Sequence, residues 1–283
     1  MHTITVANKK GGAGKSTISS NLAGALADLG LSVLYIDTDP QGTSSKLLGN
    51  PEHQLGLVEF IVDKNELAIS KTEMSESLAG TVDLILNNDP NNELKNFFGE
   101  TTSHIFHLAH AVKKIQNNYD VIVIDTKGDD GRGEVKEAAI LAGDIILTPT
   151  RPAGLDLSEV QHNIDIFDKI TTPFKAMSLT RNEPVLKILI NAYERTNLSK
   201  DVSQYLRQNY KDSSALVSVL ATEIPLLDVY KTYFTDNDFA HRLSARPLKG
   251  KNPSPCGAES MLSLIHELFP NYIDLTFKGL NNG

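Results

Sequence analysis

The chain is nearly devoid of cysteine: among 283 residues Cys256 stands alone. A single thiol excludes a disulfide framework within one chain, and equally a four-thiolate metal site. Long apolar runs are missing as well, none approaching the ~20 residues that cross a bilayer. No leader sequence is recognisable ahead of the first strand, so a reducing cytoplasm is the expected location. The chain also lacks net positive charge, with 27 Lys and Arg against 35 Asp and Glu and a formal balance of −8. No global basic field draws it to nucleic acid or to an anionic membrane, and any such contact must come from a local patch. Internal repeats and low-complexity segments are absent. So is N-K-x-D, which leaves guanine specificity without support.

What is present alternates between two periods. "TITVAN", "SVLYIDTD", "TVDLILN", "VIVID", "DIILTPT", "VLKILIN" and "ALVSVLATEIP" are short, mostly apolar and β-prone. Between several of them lie helical patterns. In "STISSNLAGALADLG", Ile18, Leu22, Ala25, Leu26 and Leu29 share one face and Gly30 supplies a stop. Further helices are read over "SHIFHLAHAVKKIQNNYD", from about Asp156, over "LSKDVSQYLRQNY" and over "MLSLIHELF". This order predicts an α/β fold, a mostly parallel twisted sheet with helices on both faces, in one domain over residues 1–283. Residues 50–80 and 88–102 are polar and carry no clear period. The tail after Asn271 is expected to fray.

The chemistry begins at Val6–Ala23, "VANKKGGAGKSTISSNLA". Strand, glycine-rich turn and helix follow in the order a phosphate cradle requires. Gly11, Gly12, Ala13 and Gly14 form the bend that brings backbone N–H groups onto phosphate oxygens at a helix N-terminus. Lys15 can bridge β- and γ-phosphates, and Ser16, followed by Thr17, presents a hydroxyl to Mg²⁺. Against G-x-x-x-x-G-K-[ST] the first glycine is missing, because Lys9 occupies that position. Lys10 is then a second lysine near the loop's start, able to neutralise phosphate charge on a facing copy of the chain, as an arginine finger does in trans.

Two strands end in carboxylates beside this loop. "YIDTDPQG" places Asp37 and Asp39 at the carboxyl end of one, where such sheets bind ligands. Asp39 can orient an attacking water or accept its proton, and Asp37 can join a Mg²⁺ shell. "VIVIDTKGDDG" ends a second strand in Asp125, a Walker B arrangement that holds Mg²⁺ directly or through water.

Together these residues resemble the ParA/MinD family of deviant Walker A P-loop ATPases, and within it the ParA branch of plasmid and chromosome partition. "KGGAGKS" matches its loop, "DTDPQGTSSKLLG" its D-x-D-P-Q-G-N block, "LAGDIILTPTRPAGLDL" its A-D-x-x-L-x-P segment, "NAYERTNLSKDV" its R-T-x-L-x-x-x-V segment and "TEIP" its late I-P. The matches run from Ile4 to about Pro225. The resemblance implies the deviant P-loop NTPase fold with seven or eight strands, and ATP and Mg²⁺ as ligands. It implies a homodimer closed over nucleotide with Lys10 acting across the interface. It also implies non-specific DNA binding, and weak hydrolysis stimulated by a ParB-like or other small DNA-binding partner. A cytoplasmic, nucleoid-associated location follows. Asn191 and Pro225 stand at strand ends where they can flank adenine, though Asn191 can equally cap a local turn.

Three departures qualify the match. The family's prolines after the Walker B aspartate are replaced by Thr126, Lys127, Gly128, Asp129 and Asp130; Gly128 can still offer an N–H to the γ-phosphate. No helix-turn-helix precedes the first strand, so operator binding is not expected. The overall charge is acidic, and the DNA patch is therefore sought locally: from Leu226 to Asn252 five basic residues (Lys231, Arg242, Arg246, Lys249, Lys251) face three acidic ones. His104, His107 and His110 recur at i, i+3, i+6 without a carboxylate or cysteine at ligand spacing, and no metal site is expected there. "MLSLIHELF" lacks the cations of a membrane-surface helix, so a membrane partner is not expected. Two other functions fit the loop: a MinD-like positioner of envelope or conjugation machinery, and a P-loop small-molecule enzyme of the dethiobiotin synthetase type.

Overall fold

The computed structural model describes residues 2–49, 55–72, 74, 77–89, 91–128, 133–152, 157–176, 184–210, 216–245 and 256–277. Among them eight strands form one sheet: β1 (His2–Val6), β2 (Ser32–Asp37), β3 (Ser70–Lys71), β4 (Thr81–Ile85), β5 (Val121–Asp125), β6 (Ile145–Thr150), β7 (Val185–Tyr193) and β8 (Val217–Pro225). Their order is β3-β4-β2-β5-β1-β6-β7-β8, and every pairing is parallel except β3 with β4. The expected α/β architecture is the one observed.

Both faces of the central strands are apolar because both are covered. Val33 and Tyr35 of β2 and Val121 and Val123 of β5 pack with Ile18, Leu22 and Leu26 of α1 (Lys15–Asp28) and with Met261, Leu264 and Ile265 of α11 (Gly257–Leu268). One residue out of phase, Leu34, Ile36, Ile122 and Ile124 pack on the opposite face. They meet α3 (Leu57–Ile61), α4 (Glu93–Glu100), α5 (His107–Ile115) and α6 (Glu134–Ala142). Beneath β6 and β7, Ile146, Leu186 and Ile188 meet α7 (Leu157–Ala176) and α8 (Asn197–Asn209). Each such side chain contributes about 1.5–3 kcal/mol by leaving water, so the sheet core dominates stability.

The sequence reading passes over several elements. α6 follows β5 directly, yet its "EVKEAAILA" bunches small and apolar residues and shows no clean 3.6 period. α2 (Thr43–Leu48) is too short to show one, and β3 has two residues. The helix expected from Ser103 opens instead as a 3₁₀ turn over Thr102–Phe106 before α5. There His104 stacks on the Phe97 ring at 4.1 Å and His107 meets the same ring edge-on at 4.9 Å. Among the described residues no three His, Cys, Asp or Glu gather as a metal site. Beyond Asn271 the described residues run to 277 and make contacts with the fold. Phe277 is buried with its ring 4.8 Å from that of His241, and the His266 ring is hydrogen-bonded to the Leu275 carbonyl at 3.0 Å.

Three strands end level at the centre of the sheet. In register Val6 pairs with Asp125, and Asp125 with Asp37. Parity places both carboxylates on the face shared with Val33, Tyr35, Val121 and Val123, the face on which α1 lies.

Candidate nucleotide site

The loop from β1 into α1 is built for an anion. Gly12 and Gly14 adopt left-handed φ values of 73° and 92°. A Cβ on Gly14 would also strike the Asn191 amide. Gly14 is the N-cap of α1; no side chain caps it, and no acid lies in the first turn. The first N–H groups and the positive end of the helix dipole are thus open to phosphate. Lys15 is buried, and its Nζ donates to the Lys10 carbonyl at 3.0 Å. Burial lowers its pKa, against the opposing pull of the Asp125 and Asp39 charges. Ser16 and Thr17 are half-buried at the start of the helix.

Asp37 and Asp125, neighbours on adjacent strands about 4.8 Å apart, form an enclosed pair. Asp37 accepts the Ser45 hydroxyl at 2.6 Å, the Ser45 N–H at 3.2 Å and the Asp39 N–H at 3.0 Å. Asp125 accepts the Ser44 hydroxyl on Oδ2 at 3.1 Å, and its buried Oδ1 has no hydrogen-bond partner. Burial pushes both carboxyls above the ordinary range, and for Asp125 the Asp37 charge adds to it. An enclosed, unpartnered carboxylate oxygen beside a second carboxylate and a serine hydroxyl is a hard oxygen set. It fits Mg²⁺, which uses one or two carboxylates and completes its shell with water and phosphate. Ser16, Asp37 and Asp125 are the residues that would hold it.

Asp39 is half-exposed at the turn just outside this pair, where its carboxylate accepts the Gln41 N–H at 2.9 Å. Lys10 stands exposed on the rim of the loop. Gly128 packs against the loop from the β5 side: a Cβ there would fall on the Lys15 ammonium and within 3.2 Å of the Lys10 carbonyl oxygen. Lys127 lines a cavity of about 220 Å³ with Pro40, Asn87, Lys95 and Lys136. Asn191 donates to the Ala13 carbonyl at 2.8 Å, which ties the end of β7 to the loop, and Pro225 closes β8 opposite Tyr193.

The basic patch is less uniform than its sequence. Lys231 pairs with Asp228 at 3.0 Å. The Arg242 guanidinium turns inward, with Nε and Nη2 donating to Asp28 at 2.5 and 2.7 Å and Nη2 donating to the Ser77 carbonyl at 2.7 Å. Arg242, expected as a phosphate contact, is engaged here as a clamp on Asp28. Arg246, Lys249 and Lys251 lie outside the described residues. Sequence reasoning missed Ser44 and Ser45, although both directly follow "DPQGT". It also missed Asn8 and Asn163, buried and joined at 3.1 Å, for which no local signal exists.

Comparison with known proteins identifies relatives of this chain. Residues 1–179 match the protein family described as an AAA domain. Soj of Bacillus subtilis, a sporulation initiation inhibitor protein, is 29% identical over 280 residues, covering 95% of this chain and 98% of Soj. The virulence plasmid ParA family protein pGP5-D of Chlamydia psittaci is 28% identical over 235 residues, 76% of this chain and 87% of that protein. In fold, a McdA variant from Cyanothece in complex with ATP superposes with a TM-score of 0.70 at 19% identity, covering 86% of this chain and 90% of McdA. The match spans more than half of the sequence and takes in the whole phosphate loop with both acidic strand ends, and on that ground the chain belongs to the AAA-domain family and, within it, to the ParA/MinD group of P-loop ATPases.

Proposed function

We propose that the chain is an ATP-dependent dimerising ATPase that binds DNA without sequence preference and serves DNA partition with a stimulating, ParB-like partner. One observation carries this reading: Lys10 stands exposed at the mouth of a loop whose own phosphate lysine, Lys15, is already buried in place. An exposed cation at that position can serve a facing nucleotide. The relatives, among them a plasmid ParA family protein and a fold neighbour in complex with ATP, support the same reading.

In this reading the N–H groups of Gly11 to Ser16 cradle the phosphates and Lys15 bridges the β- and γ-oxygens. Bound Mg²⁺ would neutralise charge on those oxygens. Asp39 orients the water that attacks the γ-phosphoryl group and accepts its proton. Asn191 and Pro225 flank the base. Lys10 of each protomer compensates the triphosphate of the other, so nucleotide charge joins the two chains.

Light scattering tests it. ATP with Mg²⁺ should double the mass of the wild type; Lys15→Ala should bind no ATP, and Lys10→Ala should bind ATP and stay monomeric. Asp39→Ala should accumulate as a dimer that hydrolyses slowly. A wild-type mass unchanged by ATP and Mg²⁺ removes the dimer switch. The cavity beside Pro40 and Lys127 favours one other reading, a P-loop enzyme acting on a small anion. Turnover that requires such a compound and ignores DNA would select it.

A further inference from the structure

We infer that Asn163 of α7, acting through Asn8, is a positioning residue for Lys10, setting the backbone from which that lysine reaches its partner's nucleotide. This rests on the proposed trans role of Lys10. Both asparagines are buried, at 2% and 7% exposure for Asn8 and Asn163. Lys9 N–H donates to Asn163 Oδ1 at 2.9 Å, and Lys10 N–H donates to Asn8 Oδ1 at 2.8 Å. Asn163 Nδ2 donates to Asn8 Oδ1 at 3.1 Å and to the Glu159 carbonyl at 2.8 Å. Asn8 Nδ2 donates to the Pro149 carbonyl at 2.7 Å.

The orientation of both amides follows from chemistry. A backbone N–H can only donate and a carbonyl can only accept, so each Oδ1 must face a lysine N–H and each Nδ2 a carbonyl. Every polar atom of the two side chains then has a partner, and such a buried network rigidifies what it holds. What it holds is the pair of residues ahead of the cradle, not the glycines that form it. The two N–H groups are drawn inward to Asn8 and α7, and the Lys10 side chain is left exposed. The network thus separates two tasks. Gly11 to Ser16 form the cradle itself, and Lys15 touches the held pair only through the Lys10 carbonyl at 3.0 Å, whereas the backbone that carries the Lys10 side chain is tied directly to the network through its N–H.

The test compares two quantities in one protein: the affinity of the monomer for a fluorescent ATP analogue, and the dimer dissociation constant with a non-hydrolysable analogue, by analytical ultracentrifugation. Asn163→Ala should keep the first within about twofold and raise the second at least tenfold, the order expected when buried donors lose their acceptors. Asn163→Asp keeps the acceptor for Lys9 and the side-chain size but removes both donations, and it should show the same split if the alanine variant folds poorly. Wild-type dimerisation of both variants, with Lys10→Ala monomeric, overturns the inference and leaves the trans role standing. Parallel loss of nucleotide and dimer in both variants also overturns it, since the network would then serve the whole loop. Normal dimerisation of Lys10→Ala would instead defeat the trans role itself.

Discussion

Gly128 sets how closely the turn after β5 can approach the phosphate loop. An added methyl group would lie on the Lys15 ammonium, 3.2 Å from the Lys10 carbonyl oxygen and 3.3 Å from Gly11 Cα. The ammonium can swing aside but the backbone cannot, so the strain falls on the loop and not on the core. Gly128→Ala should therefore change unfolding free energy by less than about 1 kcal/mol. It should weaken ATP binding by about tenfold or more, which is ~1.4 kcal/mol; titration with a fluorescent analogue beside urea melts separates the two, and unchanged affinity would contradict the contact. At this scale the sequence was informative wherever chemistry is local. Lys10, Lys15, Ser16, Asp37, Asp39 and Asp125 are named by spacing alone, because one phosphate loop and two strand ends must each be continuous in the chain. Ser44 and Ser45 were missed because serine after a turn is ordinary; only folding shows them aimed at Asp125 and Asp37.

Elements are joined by a second kind of contact. α10 (Ala240–Leu243) is fastened to the last turn of α1 through Asp28, which receives Arg242 and a 2.7 Å hydrogen bond from the buried His241 ring. Burial alone would raise the Asp28 pKa, but the hydrogen bonds from His241 and Arg242 outweigh it and hold it down to about 2. Burial lowers the His241 pKa, against the pull of Asp28. Both shifts act in one direction. The unfolded chain takes up a proton at His241 below about pH 6.5, and at Asp28 below about pH 4, where the fold resists it. Stability should fall as pH drops below 6.5 and again between about 4 and 2, with Asp28 contributing on the order of 2 kcal/mol at neutrality. Asp28→Asn should flatten the lower limb in thermal melts across pH; an unaltered profile would exclude the clamp. At the outer edge, β8 bulges between its pairings with Ile188 and Ile190. The N–H groups of Ala221 and Thr222 donate there to Glu267 at 2.6 and 2.8 Å, and Arg207 donates to the Ala221 carbonyl at 2.9 Å. These side chains cover an edge that would otherwise invite strand pairing. The central strands were legible because parallel strands buried on both faces are apolar throughout. α6 was not, because alanines pack closely without marking a face.

The whole molecule carries −8, so DNA contact, where it occurs, works against the average field. Of the basic residues proposed for it, Arg242 is turned inward onto Asp28, and Lys231, Arg246, Lys249 and Lys251 are the others. DNA affinity in the presence of ATP should fall linearly with salt on logarithmic axes, by about 0.9 per phosphate neutralised. Replacing Arg246, Lys249 and Lys251 together by alanine should flatten that slope, whereas Arg242→Ala should chiefly lower stability. A triple variant with the wild-type slope would place the patch elsewhere. Among the described residues no helix is long and apolar enough to cross a membrane.

The sequence by itself determined the order of the apolar strands and of the helices with a clear period, the phosphate loop, and the carboxylates beside it. Each of these is written within a few neighbouring residues or in a local period. Tertiary structure alone decided that Arg242 holds Asp28 across 214 positions, and that Asn163 meets Asn8 across 155. A polar residue on a helix reads the same whether it faces water or a buried partner, and only packing tells the two apart.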